Sequence, residues 1–291
     1  MSAKSVPTSR KRPLRQTHHR FRELVYQNYR EHGRHLPWRE TRDPYAILVS
    51  EIMLQQTQVE RVLLKYPQFL ASFPDFDSLA CADVREVLRS WSGLGYNRRA
   101  LALKRIAQLV RSEFGGTLPR EEEILRTFPG IGAATAGALR AFVFSLPAVF
   151  IETNIRRVFI YFFFPHREKV RDREILPLVE ETLDRARVRA WYYALMDYGV
   201  MLKGLRDNPN RRSAHYARQS PFRNSRRRIR GLILSSLVKV GARTVEEFAR
   251  ELGLSITELE VVAHQLAGEG FVELKGDLLT IAGEVSSHAS E

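Results

Sequence analysis

A glutamate and two glutamines recur at helical spacing in one apolar segment of the chain. Glu51, Gln55 and Gln58 lie three or four residues apart, and apolar residues recur at the same spacing from Val49 to Tyr66. This pattern predicts one amphipathic helix with the three polar side chains on the face away from the apolar stripe. On one face, the carboxyl group could act as an acid, and the amide side chains could insert into a ligand. A solvated helix face is the alternative interpretation, because most surface Glu and Gln side chains have no chemical role.

A second segment combines a tight turn with small residues. Gly130 and Gly132 follow Pro129 between two predicted helices, at 121–127 and 133–144. Glycine lets the backbone turn sharply and approach a ligand closely, and the free N–H groups that begin the next helix suit a phosphate group. A glycine between helices is often only a C-cap. The preceding proline and the small residues that follow are instead typical of a helix–hairpin–helix, which binds the DNA backbone without distinguishing sequence.

The elements that must position these residues are helices. A helix is predicted over 21–32, and Asp43-Pro44 predicts the start of another, with Asp as N-cap and Pro at the first helical position. From there to about Glu181, short helical patterns alternate with turns that contain Gly or Pro, and no strand pattern occurs. Residues 1–18 are expected to be a disordered basic tail. The sequence therefore predicts an all-α body.

The C-terminal part has a different pattern. One helix is predicted over 229–240, and capping boxes open two more, Thr244 with Glu247 and Ser255 with Glu258. Apolar runs at 271–274 and 278–281 then predict a hairpin. Three helices and a hairpin indicate a small winged-helix-like α+β domain, placed at 227–285. Both DNA binding and protein contact remain open for it.

The charge of the chain indicates a polyanionic partner. The net charge is +13 over 291 residues, which is typical of proteins that bind nucleic acid. Ten Lys and Arg residues lie from Lys203 to Arg230 against one acid, Asp207. Residues 206–226 are therefore predicted to be an Arg-rich linker, which either contacts DNA or is simply solvated.

The composition also argues against several classes of protein. No apolar run is long enough to span a bilayer, and the N-terminal residues are polar and basic, unlike a signal peptide. We therefore expect no membrane partner and a location in the cytoplasm with the nucleoid, or in the nucleus of a eukaryote. The single cysteine, Cys81, rules out an internal disulfide and a multi-cysteine metal site, so no metal ligands are predicted.

Six motifs in the same order carry a resemblance to a known family. They are Leu36-Pro37-Trp38-Arg39, Asp43-Pro44-Tyr45, the run from Ser50 to Thr57, Gly93-Leu94-Gly95-Tyr96, the run from Phe128 to Gly132, and the run from Glu152 to Val158. Together they resemble the helix–hairpin–helix DNA glycosylase superfamily, and within it the adenine DNA glycosylases (MutY-type), over about residues 20–205. The resemblance implies a fold of two helical subdomains at 19–205, followed here by the linker and the winged-helix-like domain.

The resemblance implies two catalytic carboxylates. Glu51 matches the acid that protonates the flipped base and helps to deliver water, and Glu152 stands where relatives carry an aspartate that stabilises the cationic sugar. Such a pair follows the chemistry of glycosidases. Glutamate is one methylene longer than aspartate, which changes its reach by about 1.5 Å. The alternative is that Glu152 only caps the helix that begins near Asn154.

The resemblance also implies DNA contacts. Gln56 and Tyr96 match residues that insert into the duplex when the target base is flipped, although Tyr96 could instead be a core aromatic. Asn154 matches the residue that orients the second carboxylate and the DNA backbone. Gly130 and Gly132 match the phosphate-binding turn, whose carbonyl oxygens often hold a monovalent cation.

Several positions depart from the family pattern around the base. Trp38 and Arg39 match the wall of the base pocket, but Tyr193 stands where relatives usually have Glu or Gln near the base. This substitution leaves the identity of the excised base open. Ala134 replaces the Schiff-base lysine of the endonuclease III relatives, so a lyase mechanism that needs an amine nucleophile is not expected.

Two larger parts of the family pattern are not expected in this chain. No cysteine occurs between Met201 and Phe222, where most relatives carry an iron–sulfur loop, so no such cluster is expected. We also expect the winged-helix-like domain in place of the domain with which the family inspects 8-oxoguanine. Recognition of the opposite base must therefore come from another part of the molecule or be weaker.

The resulting prediction is a monofunctional DNA glycosylase of base excision repair that acts as a monomer on double-stranded DNA. Adenine opposite guanine or 8-oxoguanine is the predicted substrate. Two alternatives stay open: a glycosylase for thymine or uracil opposite guanine, and a DNA-binding protein that has lost catalysis.

Overall fold

The computed structural model describes residues 14–204, 207–217 and 225–283. Its helices and strands, in chain order, are α1 (Leu14–His32), α2 (Pro37–Glu40), α3 (Pro44–Leu54), α4 (Val59–Ser72), α5 (Phe76–Cys81), α6 (Val84–Trp91), α7 (Arg98–Glu113), α8 (Glu122–Leu125), α9 (Ala133–Phe142), α10 (Thr153–Phe163), α11 (Asp172–Thr182), α12 (Val188–Lys203), α13 (Arg226–Val240), β1 (Arg243–Thr244), α14 (Val245–Leu252), α15 (Ile256–Gly268), β2 (Val272–Lys275) and β3 (Leu278–Ile281). A short 3-10 helix at Pro209–Arg212 follows α12. None of the helices in these ranges is both long and apolar enough to cross a membrane.

The chain divides into two compact units. Among the described residues, the first unit comprises residues 14–35, 140–204 and 207–217, and the second comprises residues 36–139 and 225–283. The helical body and the small C-terminal sheet agree with the predicted fold class.

The core of the first unit is aromatic. Phe21 of α1 contacts four rings from α10 and α12 edge to face, with centroid distances from 5.0 to 5.8 Å. These rings belong to Phe159, Phe162, Phe163 and Trp191. Edge-to-face contacts of this kind add to the stabilisation from area burial, so α1 is fixed against the helix that begins next to Glu152.

The second unit is built around α3, which is buried on almost every side. Residues Tyr45 to Ser50, together with Ile52 and Met53, are buried, and α2, α4 and α7 pack against the helix. Its predicted start is confirmed, because the Asp43 carboxylate accepts hydrogen bonds from the N–H groups of Tyr45 and Ala46 at 3.1 and 3.3 Å. A helix that is apolar all round belongs in a core.

The prediction of one amphipathic helix from Val49 to Tyr66 is wrong. α3 ends at Leu54, and α4 begins only at Val59. The chain turns between them, where Gln56 adopts a left-handed conformation with φ of 53°. Gln55 and Gln58 therefore lie in the turn and do not share a helical face with Glu51.

The C-terminal domain has the predicted three helices and hairpin. Thr244 and Ser255 form the predicted capping boxes at the starts of α14 and α15. β2 and β3 pair in antiparallel fashion, with Leu274 opposite Leu279. Strand β1, which the sequence patterns did not indicate, adds to β3 and gives the sheet order β1-β3-β2. The order of elements is that of a winged helix.

Three predicted boundaries need correction. Helix α1 begins at Leu14, so residues 14–18 of the predicted tail are helical, while residues 1–13 lie outside the described residues. Residues 207–217 of the predicted linker are packed into the first unit: the Asn210 amide donates to the Thr153 carbonyl at 2.9 Å, and Val170 forms a bridge with Ser213. Residues 206, 218–224 and 284–285 of the linker and winged-helix predictions also lie outside the described residues, and Arg226 already belongs to α13.

Candidate active-site and DNA-binding residues

Glu51 lies in the last turn of α3 and is half-buried. Ser50 before it is fully buried, and its hydroxyl donates to the Ile47 carbonyl at 2.7 Å. Ile52 and Met53 after it are also fully buried. The backbone that carries Glu51 is therefore fixed by close packing, which is what a catalytic side chain needs in order to hold one position.

The buried Arg99 guanidinium holds the end of α3. Its Nη1 donates to the carbonyl oxygens of Ile52, Met53 and Gln55 at 2.9, 2.8 and 2.5 Å. The last carbonyls of a helix have no partner within the helix and carry its negative dipole end, so a cation is the natural cap. Burial lowers the pKa of Arg99 to about 10, and the group stays charged at neutral pH.

The same guanidinium binds a second loop. Its Nη2 donates to the Thr57 hydroxyl at 2.9 Å and to the carbonyls of Leu94 and Gly95 at 3.3 and 3.0 Å. Arg99 thus fastens the turn that contains Gln56 to the turn that ends in Tyr96. These are the two turns whose residues were predicted to insert into DNA.

Gln56 and Tyr96 both adopt left-handed backbone conformations. Their φ angles are 53° and 48°, and Gly93 and Gly95 before Tyr96 also have positive φ. Gln56 is exposed, and Tyr96 is half-buried. Non-glycine residues occupy this region rarely and at an energetic cost, so such conformations concentrate at functional sites. The predicted insertion of both side chains remains a prediction.

The glycine turn of the predicted hairpin is exposed and contacts the end of α3. Gly130 has φ of 77°, and its carbonyl accepts a hydrogen bond from the Gln55 amide at 3.1 Å. The same amide donates to the Thr135 hydroxyl at 3.2 Å. Gly132 is exposed at the start of α9, and its carbonyl accepts from the Ala136 N–H at 2.9 Å. The N–H groups of this first turn are therefore available to a phosphate, and a monovalent cation at the carbonyls stays a prediction.

Trp38 lies in the core of the second unit. Its side chain is 3% exposed, and its ring contacts Tyr66 edge to face at 5.5 Å. The neighbouring Arg39 is half-buried. A role for both in a base pocket remains a prediction.

In the first unit, Glu152 is the N-cap of α10. One carboxylate oxygen accepts hydrogen bonds from the N–H groups of Asn154 and Ile155 at 2.8 and 2.9 Å. The other oxygen accepts from the Asn154 side-chain amide at 3.2 Å. The structure therefore brings Asn154 to the carboxylate that it was predicted to orient. The helix cap proposed as the alternative is also present, and it fixes the direction of the carboxylate.

The environment of Glu152 raises its pKa. Burial is the main cause, and it outweighs the opposing effects of the two backbone N–H groups and the charges of Arg157 and Arg156. Burial disfavours the charged form of a carboxyl, whereas hydrogen bonds and nearby cations favour it. A carboxyl group with a shifted pKa is typical of functional sites.

A buried arginine supports Glu152 through Asn154. Arg157 Nη1 donates to the Asn154 side-chain oxygen at 2.8 Å and to the Gly199 carbonyl at 2.5 Å. Gly199 leaves no room for a side chain, because a Cβ there would lie 2.6 Å from both the Cβ and the carbonyl oxygen of Asn154. The close approach of α12 to α10 therefore fixes Asn154, and Asn154 fixes Glu152.

Tyr193 lies on α12 in the core of the first unit. Its side chain is 6% exposed, and its ring stacks on Phe142 with a centroid distance of 4.6 Å. The Arg189 guanidinium lies 5.5 Å from the same ring. Packing accounts for this tyrosine, and its predicted place near the base is not tested by these contacts.

The supporting residues were missed by sequence reasoning. Arg99, Arg157 and Gly199 appear in no predicted site, although the two arginines lie on the buried faces of their helices. Gln55 was predicted to contact a ligand, and its hydrogen bonds to the hairpin were not predicted. A charged residue within an apolar helical stripe is the signal that could have drawn attention to Arg99 and Arg157. Among the described residues, no group of three or more His, Cys, Asp or Glu could hold a metal ion.

A family model covers the elements that carry most of these residues. Residues 49–181 match the model described as "HhH-GPD superfamily base excision DNA repair protein". This segment is similar to an HhH-GPD domain over less than half of the chain. The resemblance to the helix–hairpin–helix glycosylase superfamily is therefore confirmed.

Curated relatives of this chain are adenine DNA glycosylases. One from Buchnera aphidicola is 34% identical over 191 residues, which are 65% of this chain and 54% of the relative. One from Mycobacterium tuberculosis is 41% identical over 131 residues, 45% of this chain and 43% of the relative. The human enzyme is 38% identical over 147 residues, 47% of this chain and 27% of the relative. The chain thus spans about half, or less, of the length of these relatives.

Solved structures share the fold. A thermostable thymine-DNA glycosylase superposes with a TM-score of 0.60 at 25% identity, covering 67% of this chain and 92% of that one. An endonuclease III, solved as a non-covalent complex with DNA, superposes with a TM-score of 0.55 at 14% identity, covering 65% and 89%. At that identity the second likeness concerns the fold alone.

Proposed function

We propose that the protein is a monofunctional DNA glycosylase of base excision repair that removes adenine opposite guanine or 8-oxoguanine. The observation that carries this proposal is Glu51, which lies at the end of the buried α3 inside the segment that matches the HhH-GPD model, in a chain whose curated relatives are adenine DNA glycosylases. The substrate is double-stranded DNA with a mispaired base, and the enzyme acts as a monomer where DNA is kept, in the cytoplasm or the nucleus.

In the proposed reaction Glu51 donates a proton to the flipped adenine. The bond between the base and the sugar then breaks, and the base leaves with the bonding electrons. The sugar becomes a cation resembling an oxocarbenium ion, water adds to its anomeric carbon, and a proton is lost from that water. Pairs of carboxyl groups perform the same task in glycosidases.

Glu152 stabilises the cationic sugar in this scheme. Its hydrogen bonds from Asn154 and Ile155 fix both carboxylate oxygens. A preorganised charge of this kind is worth more in a buried site than in water. The burial that raises its pKa favours the neutral carboxyl in the free protein, whereas a neighbouring cation favours the ionised form.

The second unit supplies the proposed DNA contacts. Gln56 and Tyr96 insert into the duplex and replace the stacking that is lost when adenine leaves the helix. The N–H groups around Gly130 and Gly132 bind a phosphate at the start of α9. The hydrogen bonds of Arg99 and Gln55 connect the two inserting turns and the hairpin, so these contacts form as one surface.

The test is single-turnover base release from duplexes that carry A:8-oxoguanine, A:G, T:G or U:G, with alkali used to reveal abasic sites. Wild-type protein is expected to release adenine and to need alkali for strand breaks, because no amine nucleophile stands at Ala134. The Glu51→Gln variant is expected to bind the duplex and release nothing. The matched control is Glu60→Gln, an exposed glutamate on α4 that should leave the rate unchanged.

A second candidate function is removal of thymine or uracil opposite guanine. Similarity to a thymine-DNA glycosylase over 92% of that chain favours it, as do the departures at Ala134 and Tyr193. Release of only thymine or uracil in the same assay would establish this function in place of the first. Tight binding of mismatched DNA without release of any base would leave a DNA-binding protein that has lost catalysis.

A further inference from the structure

The first turn of α13 contacts the turn that carries Tyr96. Arg227 Nη1 donates a hydrogen bond to the Tyr96 hydroxyl at 2.7 Å, and its guanidinium carbon lies 5.6 Å from the centre of the Tyr96 ring. Arg226 and Arg228 are exposed beside it. Neither of these two is paired with an acidic side chain among the described residues. A concentrated positive charge is therefore placed next to the turn that the proposed function assigns to DNA.

A charged cluster fixes this arrangement. Both oxygens of Glu269, at the end of α15, accept hydrogen bonds from Arg98 at 2.7 Å, and one also accepts from Arg230 at 2.5 Å. Arg98 is the first residue of α7, two residues after Tyr96. Burial raises the pKa of Glu269, but the hydrogen bonds and charges of Arg98 and Arg230 together lower it by more, so the net shift favours the ionised carboxylate. Glu269 thus connects the C-terminal domain to the residues that follow the Tyr96 turn.

The other end of α13 is also attached to the helical body. Arg85 of α6 donates to the Val238 carbonyl at 3.4 Å, and α13 packs against α6. Contacts at both ends of a helix define its direction, whereas one contact would leave it free to pivot. The position of Arg227 relative to Tyr96 therefore follows from the packing of the domain.

The Tyr96 ring lies close to two guanidinium groups. The Arg99 guanidinium carbon is 5.5 Å from the ring centre and belongs to the buried core, while Arg227 approaches from the C-terminal domain. Cation–π attraction and one charged hydrogen bond restrict the two side-chain torsions of the tyrosine. A side chain that is ordered before binding loses less entropy when it inserts.

We infer that the C-terminal domain is part of the DNA-binding surface, with Arg227 as the positioning residue that orients Tyr96 for insertion and Arg226 and Arg228 binding nearby phosphates. The inference rests on the proposed function, because it assigns the domain to the same duplex. It decides between the two roles that the sequence leaves open for the domain, DNA binding and protein contact. Direct contact with the Tyr96 turn favours DNA, since recruitment of a protein partner does not require it.

The test is a double-mutant cycle between Arg227 and Tyr96. Arg227→Met removes the hydrogen-bond donor and the charge but keeps an apolar chain, and Tyr96→Phe removes the acceptor but keeps the ring. Arg227→Lys restores a charged donor. Arg250→Ala, an exposed arginine on α14 of the same domain, is the charge-matched control. Melting temperatures confirm that each variant is folded.

Three quantities are measured on a duplex with one A:8-oxoguanine pair: the dissociation constant by fluorescence anisotropy, the fluorescence gain of 2-aminopurine placed beside the mismatch, and the single-turnover rate of base release. Arg227→Met is expected to reduce the rate about tenfold, as for loss of a charged hydrogen bond, and to reduce the fluorescence gain that reports unstacking. Arg227→Lys should recover part of both losses. In the Tyr96→Phe background the Arg227→Met change should have a clearly smaller effect, because only the cation–π contact is left to lose.

The phosphate contacts are tested by the variant Arg226→Ala/Arg228→Ala. It is expected to weaken duplex binding and to make the logarithm of affinity depend less steeply on the logarithm of salt concentration, because fewer counterions are released. Arg250→Ala should leave that slope unchanged.

Three outcomes would overturn the inference. In the first, Arg227→Met and Arg250→Ala give the same rate and the same fluorescence gain. In the second, Arg227→Met has the same effect with and without the Tyr96 hydroxyl. In the third, the salt dependence of affinity is unchanged after loss of Arg226 and Arg228. Failure of the proposed function is distinguishable, since wild-type protein would then release no base. Anisotropy and 2-aminopurine fluorescence would still measure the coupling between Arg227 and Tyr96.

Discussion

Two regions of the molecule use a buried arginine in different ways. At the end of α3, Arg99 hydrogen-bonds almost entirely to backbone carbonyl oxygens and so holds the shape of two turns. At the start of α10, Arg157 bonds to the side chain of Asn154 and lies close enough to Glu152 to stabilise its charge. The first arginine therefore maintains the backbone around the proposed DNA contacts, and the second maintains the direction and charge of one carboxylate.

This difference predicts that losing Arg99 has the larger effect on stability. Arg99→Met leaves several buried carbonyl oxygens without a donor, each of which costs about 1–3 kcal/mol, so we expect a loss of about 4 kcal/mol in the free energy of unfolding. Urea denaturation measures this change, with Arg105→Met, an exposed arginine on the same helix, as control. A loss below about 1 kcal/mol would show that the turns do not depend on Arg99.

A methyl group at Gly199 tests the first unit. Gly199→Ala places a Cβ within 2.6 Å of Asn154, so α10 and α12 must separate. Overpacking of this kind costs about 2 kcal/mol, and base release should fall further than stability because Asn154 no longer aligns Glu152. Gly268→Ala is the matched control, since a Cβ there meets nothing within 4 Å. Equal rates for the two variants, measured where both are folded, would contradict the proposed support of Glu152.

Two substitutions separate the two roles of Glu152, the helix cap and the charge that stabilises the sugar. Glu152→Gln keeps an acceptor oxygen for the helix cap but carries no charge, so base release should be lost while the cap survives. Glu152→Ala removes the cap as well, which costs about 1 kcal/mol.

The pH dependence of stability has a definite sign at Glu152. Burial raises the pKa of Glu152 in the folded state. The free energy of unfolding of the wild-type protein therefore falls as the pH rises from the ordinary pKa of glutamate through this raised pKa. Glu152→Gln has no such loss, and its stability relative to wild type should increase over that range. Thermal denaturation between pH 4 and pH 8 measures the difference, and parallel curves would exclude the raised pKa.

The smallest effect is expected at Gln55, which joins the turn to the hairpin. Gln55→Ala removes hydrogen bonds to Gly130 and Thr135 that are partly exposed, so stability should fall by only about 0.5–1 kcal/mol. DNA affinity should fall more clearly, because the hairpin loses its attachment to the inserting turn. Gln58→Ala, three residues further along and exposed, is the control. Unchanged affinity would mean that the hairpin binds DNA independently of α3.

Local rules predicted much of the fold. The Asp43 cap, the capping boxes at Thr244 and Ser255, and the β2–β3 hairpin all form where the sequence indicates them. Each depends on residues within a few positions of one another, so its physics is contained in the local sequence.

The rest depends on contacts that are distant in sequence. The break after Leu54 was missed because apolar spacing continues into α4, while the helix is ended by a left-handed turn and by Arg99, more than 40 residues away. The need for glycine at position 199 arises only where α12 meets Asn154. The packing of residues 207–217 was missed because a polar, basic composition resembles a linker, although Asn210 is buried against the start of α10.

The left-handed conformations of Gln56 and Tyr96 have a consequence for the thermodynamics of DNA binding. Each costs about 1 kcal/mol relative to the right-handed form, and that cost is met when the protein folds. Encounter with DNA then requires little further ordering of either turn. We therefore expect the decrease in heat capacity on binding to match the apolar area that the DNA covers. The additional decrease that accompanies coupled folding should be absent.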